Sequence, residues 1–214
     1  MKYTLIATTT LLFLASCNNN DKNGGKNAAD TLKPVRTNTV PAEKKKDEPV
    51  VAEKPGIINI LDTVAPKRMV LYMKDSAKTF DRISVKLGMI YGVKLAEVLK
   101  KNGLKMAGAP MAWYKTQKAP YFFEAGVAIA KKPAKLPAGV FIREMGADSV
   151  VMAHFYGPYS LLSQGYDAIK EKMKDEKKAI GGTPYEIYVG DPVDAKGKAI
   201  DPYKVRTDIV FPRH

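Results

Sequence analysis

Two stretches, 108-GAPMAWY-114 and 182-GTPYEIY-188, align without a gap and share a glycine, a proline and a closing tyrosine. What precedes them also matches. Ahead of the first, apolar residues recur at Phe80, Ile83, Leu87, Ile90, Tyr91, Leu95, Val98 and Leu99. That three-or-four spacing is an amphipathic helix, with Asn102-Gly103 as its stop signal. Ahead of the second, Tyr159, Leu162, Tyr166, Ile169 and Met173 repeat the stripe behind Pro158, a residue suited to a first helical turn. Strand-like runs at 68–73, 110–116 and 121–130 surround the first helix, and runs at 149–156, 185–189 and 203–211 surround the second. A further short strand is expected at 139–145. The order strand–helix–strand–strand therefore occurs twice. It predicts an α+β domain of two antiparallel sheet halves related by a pseudo-twofold, each covered by a helix, with a concave cleft between them. Gly88 and Gly92 interrupt the first helical stripe and read as a close approach of helix to sheet.

Side chains alternate across a strand, so each run divides into two faces. Tyr185, Ile187 and Val189 oppose Glu186 and Tyr188, and Met111 and Trp113 oppose Ala112 and Tyr114. Phe123, Ala125, Val127 and Ile129 oppose Phe122, Glu124, Gly126 and Ala128. In the last strand Tyr203, Val205, Thr207, Ile209 and Phe211 oppose Lys204, Arg206, Asp208 and Val210. Placing the more apolar face of each strand under a helix collects Glu186, Tyr188, Tyr114, Phe122, Glu124 and Asp208 on the other face. Large rings beside carboxylates suit a concave small-molecule site, and aromatic walls attract cations. The plainer readings are that Glu186 is a surface residue or a partner of Arg206 or Lys204, that Trp113 is core, and that His154 is a hydrogen-bonded core residue. Glu186 aligns with Ala112, so the two halves offer matching tyrosines but one carboxylate. This asymmetry reads as the requirement of a ligand with one polar or cationic end.

The N-terminal part carries different information. Lys2 precedes a short apolar run ending in Leu14-Ala15-Ser16-Cys17, which is similar to a bacterial lipobox. That similarity implies a signal peptide over 1–16 and lipid attachment at Cys17, with Asn18 favouring the outer membrane. Residues 17–57 then form a polar tether, and 58–214 the folded domain. With Cys17 acylated no cysteine is left for a disulfide or thiolate site, and only His154 and His214 remain as histidines, so no metal or cofactor is expected. Residues 56–214 carry 26 Lys and Arg against 16 Asp and Glu. These charges are scattered and follow no recognition-helix or zinc-finger pattern. Nucleic acid is therefore not an expected partner, and the oligomeric state is left open.

The segments 154-HFYGPYSLLSQGYDAIKEKM-173, 182-GTPYEIYVGDP-192, 207-TDIVFP-212 and 123-FEAGVAI-129 resemble the GyrI-like family. That family supplies effector-binding domains of AraC-type and MerR-type multidrug regulators and also occurs as stand-alone domains. The resemblance implies a duplicated strand–helix–strand–strand fold. It also implies a cleft in which a glutamate among aromatics receives lipophilic, often cationic, compounds, a role that falls on Glu186 with Tyr188 beside it. The closing strand departs from the family pattern, with Asp208 for its glutamate and Val210 for a tyrosine expected to face the cleft. The expected function is a lipid-anchored envelope protein, facing periplasm or cell surface, that binds a small lipophilic or aromatic ligand without turning it over. Alternatives are a hydrolase of strained or electrophilic molecules with Glu186 as general base, and a structural or interaction domain.

Overall fold

Nearly every run rich in β-branched and aromatic residues enters one sheet. A computed structural model describes residues 54–116 and 118–214, so the segments read as signal peptide and lipidated cysteine, with most of the tether, lie outside the described residues. Strands β1 (Ile57–Val64), β2 (Arg68–Ala77), β3 (Met111–Tyr114), β4 (Tyr121–Ile129), β5 (Val140–Met145), β6 (Ser149–Tyr156), β7 (Tyr185–Tyr188) and β8 (Arg206–Pro212) form an eight-stranded sheet. The first helical stripe becomes α1 (Phe80–Met89), a π-helical turn (Ile90–Leu95) and α2 (Ala96–Lys101). The second begins as a 3-10 turn (Tyr159–Leu161) and continues as α3 (Leu162–Asp175). Edge strand β1 was not read from the sequence, and Tyr203 belongs to a 3-10 turn (Pro202–Lys204) rather than to the last strand.

The strand order is β1-β6-β8-β7-β3-β4-β2-β5, and each pairing is antiparallel. Reading outward from the centre, β3-β4-β2-β5 mirrors β7-β8-β6-β1, which is the expected duplication. The register locates the symmetry axis. Ala112 pairs directly with Glu186, flanked by Met111 with Ile187 and Trp113 with Tyr185. The two residues that the repeat makes equivalent thus face each other, so the pseudo-twofold passes between them.

The sheet must curl. Three residues link Val64 to Arg68, which can span roughly 13 Å, yet β1 and β2 are six positions apart in the strand order. A flat sheet would separate them by about 29 Å. The same holds for β5 and β6, joined by three residues. The two crossing loops are tied by Ala65 N–H to Asp148 O (2.9 Å) and Ala147 N–H to Ala65 O (2.7 Å). The inside of the curl is the face without helices, where Val70, Met111, Trp113, Val150, Tyr185 and Val210 pack together from both halves. The outside carries two further cores. Leu71, Phe123 and Val127 lie under Ile83, Ile90, Leu95 and Leu99. Phe155, Ile209 and Phe211 lie under Tyr166, Ile169 and Met173.

The close helix–sheet approach expected at Gly88 and Gly92 lies elsewhere. A Cβ at either would meet nothing within 4 Å, because both face outward, whereas at Gly165 of α3 it would sit 2.4 Å from Ile209 Cδ1. The tightest backbone approach is at Gly146, with φ +96° and Pro66 O placed 2.1 Å from any added Cβ. Gly146→Ala is therefore expected to lower unfolding free energy by about 2 kcal/mol. Gly88→Ala is expected to raise it by about 0.5–1 kcal/mol through helix propensity. Urea denaturation of both variants checks this, and opposite signs are the expected result.

Candidate functional site

The register separates the six residues expected to share one face. Directly paired residues lie on the same side of a sheet. Glu186 pairs with Ala112 and Ile209, and Tyr188 and Tyr114 pair with Thr207 and Phe123, so all three lie on the outer face with the helices. Glu124 pairs with Trp113 and Asp208 with Ile187, on the inner face, and Phe122, on that same side of β4, is exposed. The expectation of one shared non-helix face was wrong for β3 and β7. Their more apolar sides, Met111/Trp113 and Tyr185/Ile187, fill the inside of the curl instead of packing under a helix. Val210 also lies on the inner face, opposite Tyr185, so its departure from the family pattern does not bear on Glu186.

Glu186 is 5% exposed and lies between the two helical layers. Tyr166 of α3 donates to its Oε1 (2.9 Å), and Tyr188 donates to its Oε2 (2.8 Å). The Tyr114 and Tyr188 hydroxyls are 2.8 Å apart. A phenol has one proton, and Tyr188 gives its own to Glu186, so Tyr114 donates to Tyr188. The equivalent tyrosines of the two halves thus meet across the pseudo-twofold in a chain that ends on the carboxylate. Tyr91 and Tyr159 stand with ring centroids 6.4 Å and 6.2 Å from that of Tyr188. Tyr91 sits on the π-helical turn, and its hydroxyl donates to Met111 O (2.8 Å). Such turns insert a residue into a helix and re-aim side chains.

Burial pushes the Glu186 carboxyl up to about 7, against the two tyrosine donors that favour its ionised form. Arg206 and Lys204, suggested by the sequence as partners, do not reach it; Arg206 pairs with Asp208 instead. Burial and the nearby carboxylate push the Tyr91, Tyr114, Tyr166 and Tyr188 hydroxyls upward, and Tyr159 likewise. Tyr91, Tyr159 and Tyr166 appeared in the sequence only as stripe residues. The available signal was chemical: a phenol in a core position needs a hydrogen-bond partner where leucine does not.

The symmetry axis also changes the meaning of Ala112. Carboxylates at both positions would face each other directly, with Cβ atoms about 5 Å apart, and could not both ionise when buried. One carboxylate opposite a small residue is what the axis permits, so the asymmetry follows from packing and electrostatics as well as from any ligand.

On the inner face the other acids are neutralised. Glu124 accepts from Arg143 (2.6 Å) and lies within ion-pair reach of Lys115 and Lys74. Its carboxyl is buried yet held below its usual range, Arg143 and Lys115 outweighing desolvation. The Arg143 guanidinium lies 4.1 Å from the ring centroids of both Tyr72 and Trp113. Asp208, equivalent to Glu124 in the repeat, meets His154 Nδ1 (2.6 Å) and Arg206 Nε (3.1 Å). His154 is thus a hydrogen-bonded partner of Asp208. Trp113 is buried. Among the described residues no cluster of His, Cys, Asp and Glu could hold a metal ion, and no helix is long and apolar enough to cross a membrane.

No protein-family model and no curated protein matches the chain. Among solved structures, the C-terminal domain of EcmrR superposes with a TM-score of 0.62 at 19% identity, over 74% of this chain and 98% of that one. EcmrR in its DNA complex gives 0.63 at 19% identity over 73% of this chain, which spans 57% of that longer protein. A hydrolase from Listeria innocua gives 0.50 at 12% identity, over 72% and 91% of the two chains. The domain therefore has the fold of the EcmrR C-terminal domain.

The raised Glu186 pKa has a stability consequence. The folded state holds this proton more tightly than the unfolded chain, so the contribution is present below about pH 4.5 and is lost as pH rises through about 7. A displacement of that size corresponds to roughly 3 kcal/mol. Glu186→Gln is expected to remove this component, so that wild type loses stability relative to the variant between about pH 4.5 and about pH 8. Paired denaturant curves across that range measure it.

Proposed function

We propose that this domain binds a small lipophilic or aromatic cation at Glu186. The observation that carries the reading is a buried carboxylate with two phenol donors and no cationic partner among the described residues. Burying a charge is costly unless it is paired, so the group rests near neutrality until a positive ligand arrives. Five tyrosine rings supply the rest of the recognition, since a desolvated cation over aromatic faces gains about 2 kcal/mol. Tyr91, Tyr114, Tyr159 and Tyr188 are only partly buried, so the cluster reaches the surface between the helical layers. Ligand entry then requires these rings to part from Glu186.

Binding of a cation selects ionised Glu186, and affinity is linked to its proton. Rhodamine 6G, followed by fluorescence polarisation, is expected to bind more tightly as pH rises from about 5 to about 7, approaching tenfold per unit, and to level off above. Glu186→Gln is expected to weaken binding at least about tenfold at pH 8 and to flatten the pH dependence. A neutral dye of similar size should show no such dependence. Equal binding by wild type and Glu186→Gln would remove the site from consideration.

A hydrolytic reading is favoured by one observation: a carboxyl brought up to about 7 is suited to act as a general base near neutral pH. Turnover of an epoxide or other strained electrophile that disappears in Glu186→Gln would support it.

The lipobox-like segment 14-LASC-17 supports a lipid anchor at Cys17 and a place in the cell envelope, with the polar segment after it as a tether. In a bacterial host, Cys17→Ser is expected to abolish metabolic incorporation of labelled palmitate and to move the chain from the membrane to the soluble fraction.

A further inference from the structure

The inner face of the curled sheet holds a groove that the Glu186 reading does not use. It consists of two adjoining cavities of about 210 and 230 Å³ that share Met145 and Tyr185 as walls. Trp113 and Arg143 line the first, and Arg68, Met152 and Ile187 line the second. The acids on this face are already engaged or peripheral. Asp208 is held by His154 and Arg206, Glu124 by Arg143, and Asp148 lies exposed at the rim.

Two polar groups in the groove, Arg68 and the Tyr185 hydroxyl, lie close enough to interact electrostatically and are not held by an acid. Arg68 is partly buried, yet its guanidinium makes no hydrogen bond or ion pair with any described residue. Tyr185 is 4% exposed, and its hydroxyl likewise has no hydrogen-bond partner among them. Both line the larger cavity, whose wall is otherwise apolar apart from the Arg206–Asp208 ion pair. A charged donor and a neutral donor facing one apolar space are complementary to a single anionic acceptor attached to an apolar body.

We propose that this groove is a second binding site, on the opposite face of the sheet from Glu186, for a compact organic acid. Arg68 and the Tyr185 hydroxyl hold its carboxylate, and Met145, Met152 and Ile187 contact its apolar part. The four-residue strand β7 then separates two sites of opposite charge preference, with Glu186 turned to one and Tyr185 and Ile187 to the other. This site stands independently of cation binding at Glu186.

Trp113 is the only tryptophan of the chain and lines the adjoining cavity, so its fluorescence reports directly on the groove. The full chain is titrated with phenylbutyrate, and with phenylbutyramide as the neutral counterpart. The expected result is a saturable change in Trp113 emission with the acid and binding at least about tenfold weaker with the amide. Arg68→Gln and Tyr185→Phe, each checked for an unchanged Tm, are expected to weaken the acid about tenfold, and Glu186→Gln to leave it unchanged. Absence of a saturable change would overturn the proposal. So would equal affinity for acid and amide, or wild-type affinity in a folded Arg68→Gln or Tyr185→Phe protein.

Discussion

The pairing of Ala112 with Glu186 is the constraint on which the rest of the structure depends. Strand pairing joins the two halves of the sheet only where β3 lies against β7, over three directly paired positions. That short junction fixes the register of everything outward from it, since β4 and β8 are placed by β3 and β7, and β2 and β6 by those in turn. It also puts the symmetry axis beside a carboxylate. A duplicated scaffold gives two copies of most features, such as Tyr114 and Tyr188, or Glu124 and Asp208. At the axis itself two copies become direct neighbours, and two buried carboxylates placed there could not both ionise.

Burial and pairing separate the two kinds of acid in this domain. Glu124 and Asp208 are as deeply placed as Glu186, but each has guanidinium, ammonium or imidazole groups within reach. Glu186 has only phenols. A phenol donor stabilises a carboxylate by one hydrogen bond, while a guanidinium contributes charge as well. The difference moves the carboxyl of Glu186 in the opposite direction from that of Glu124. Of the three acids buried among the described residues, Glu186 is therefore the one without a charged partner.

Much of the fold was legible in the residues. The gap-free match of 108–114 with 182–188 reported both the duplication and the strands at its centre, because identical local requirements recur where the halves meet. The helical stripes and most strand runs followed from periodicity. The curl did not, since it depends on three-residue loops joining strands that lie far apart in the sheet order, and β1 went unread. For β3 and β7 apolar content does not report a helix overhead. In a curled sheet the inner face is apolar as well, through Trp113, Tyr185 and Met111 packing on their counterparts. Glu186, Tyr188 and Tyr114 share one face, as their parity implies, but it is the face that carries the helices. Tyr91, Tyr159 and Tyr166 were hidden within helical stripes, where only the tertiary fold brings their hydroxyls to the centre.

The central claim is that Glu186 is a buried carboxylate awaiting a positive partner. Carbon-13 NMR titration of its side-chain carboxyl, with and without saturating rhodamine 6G, tests this most directly. The expected midpoint in the free protein is about 7, falling by one unit or more in the complex. A midpoint in the ordinary range near 4.5, or one that the cation leaves unmoved, would contradict it.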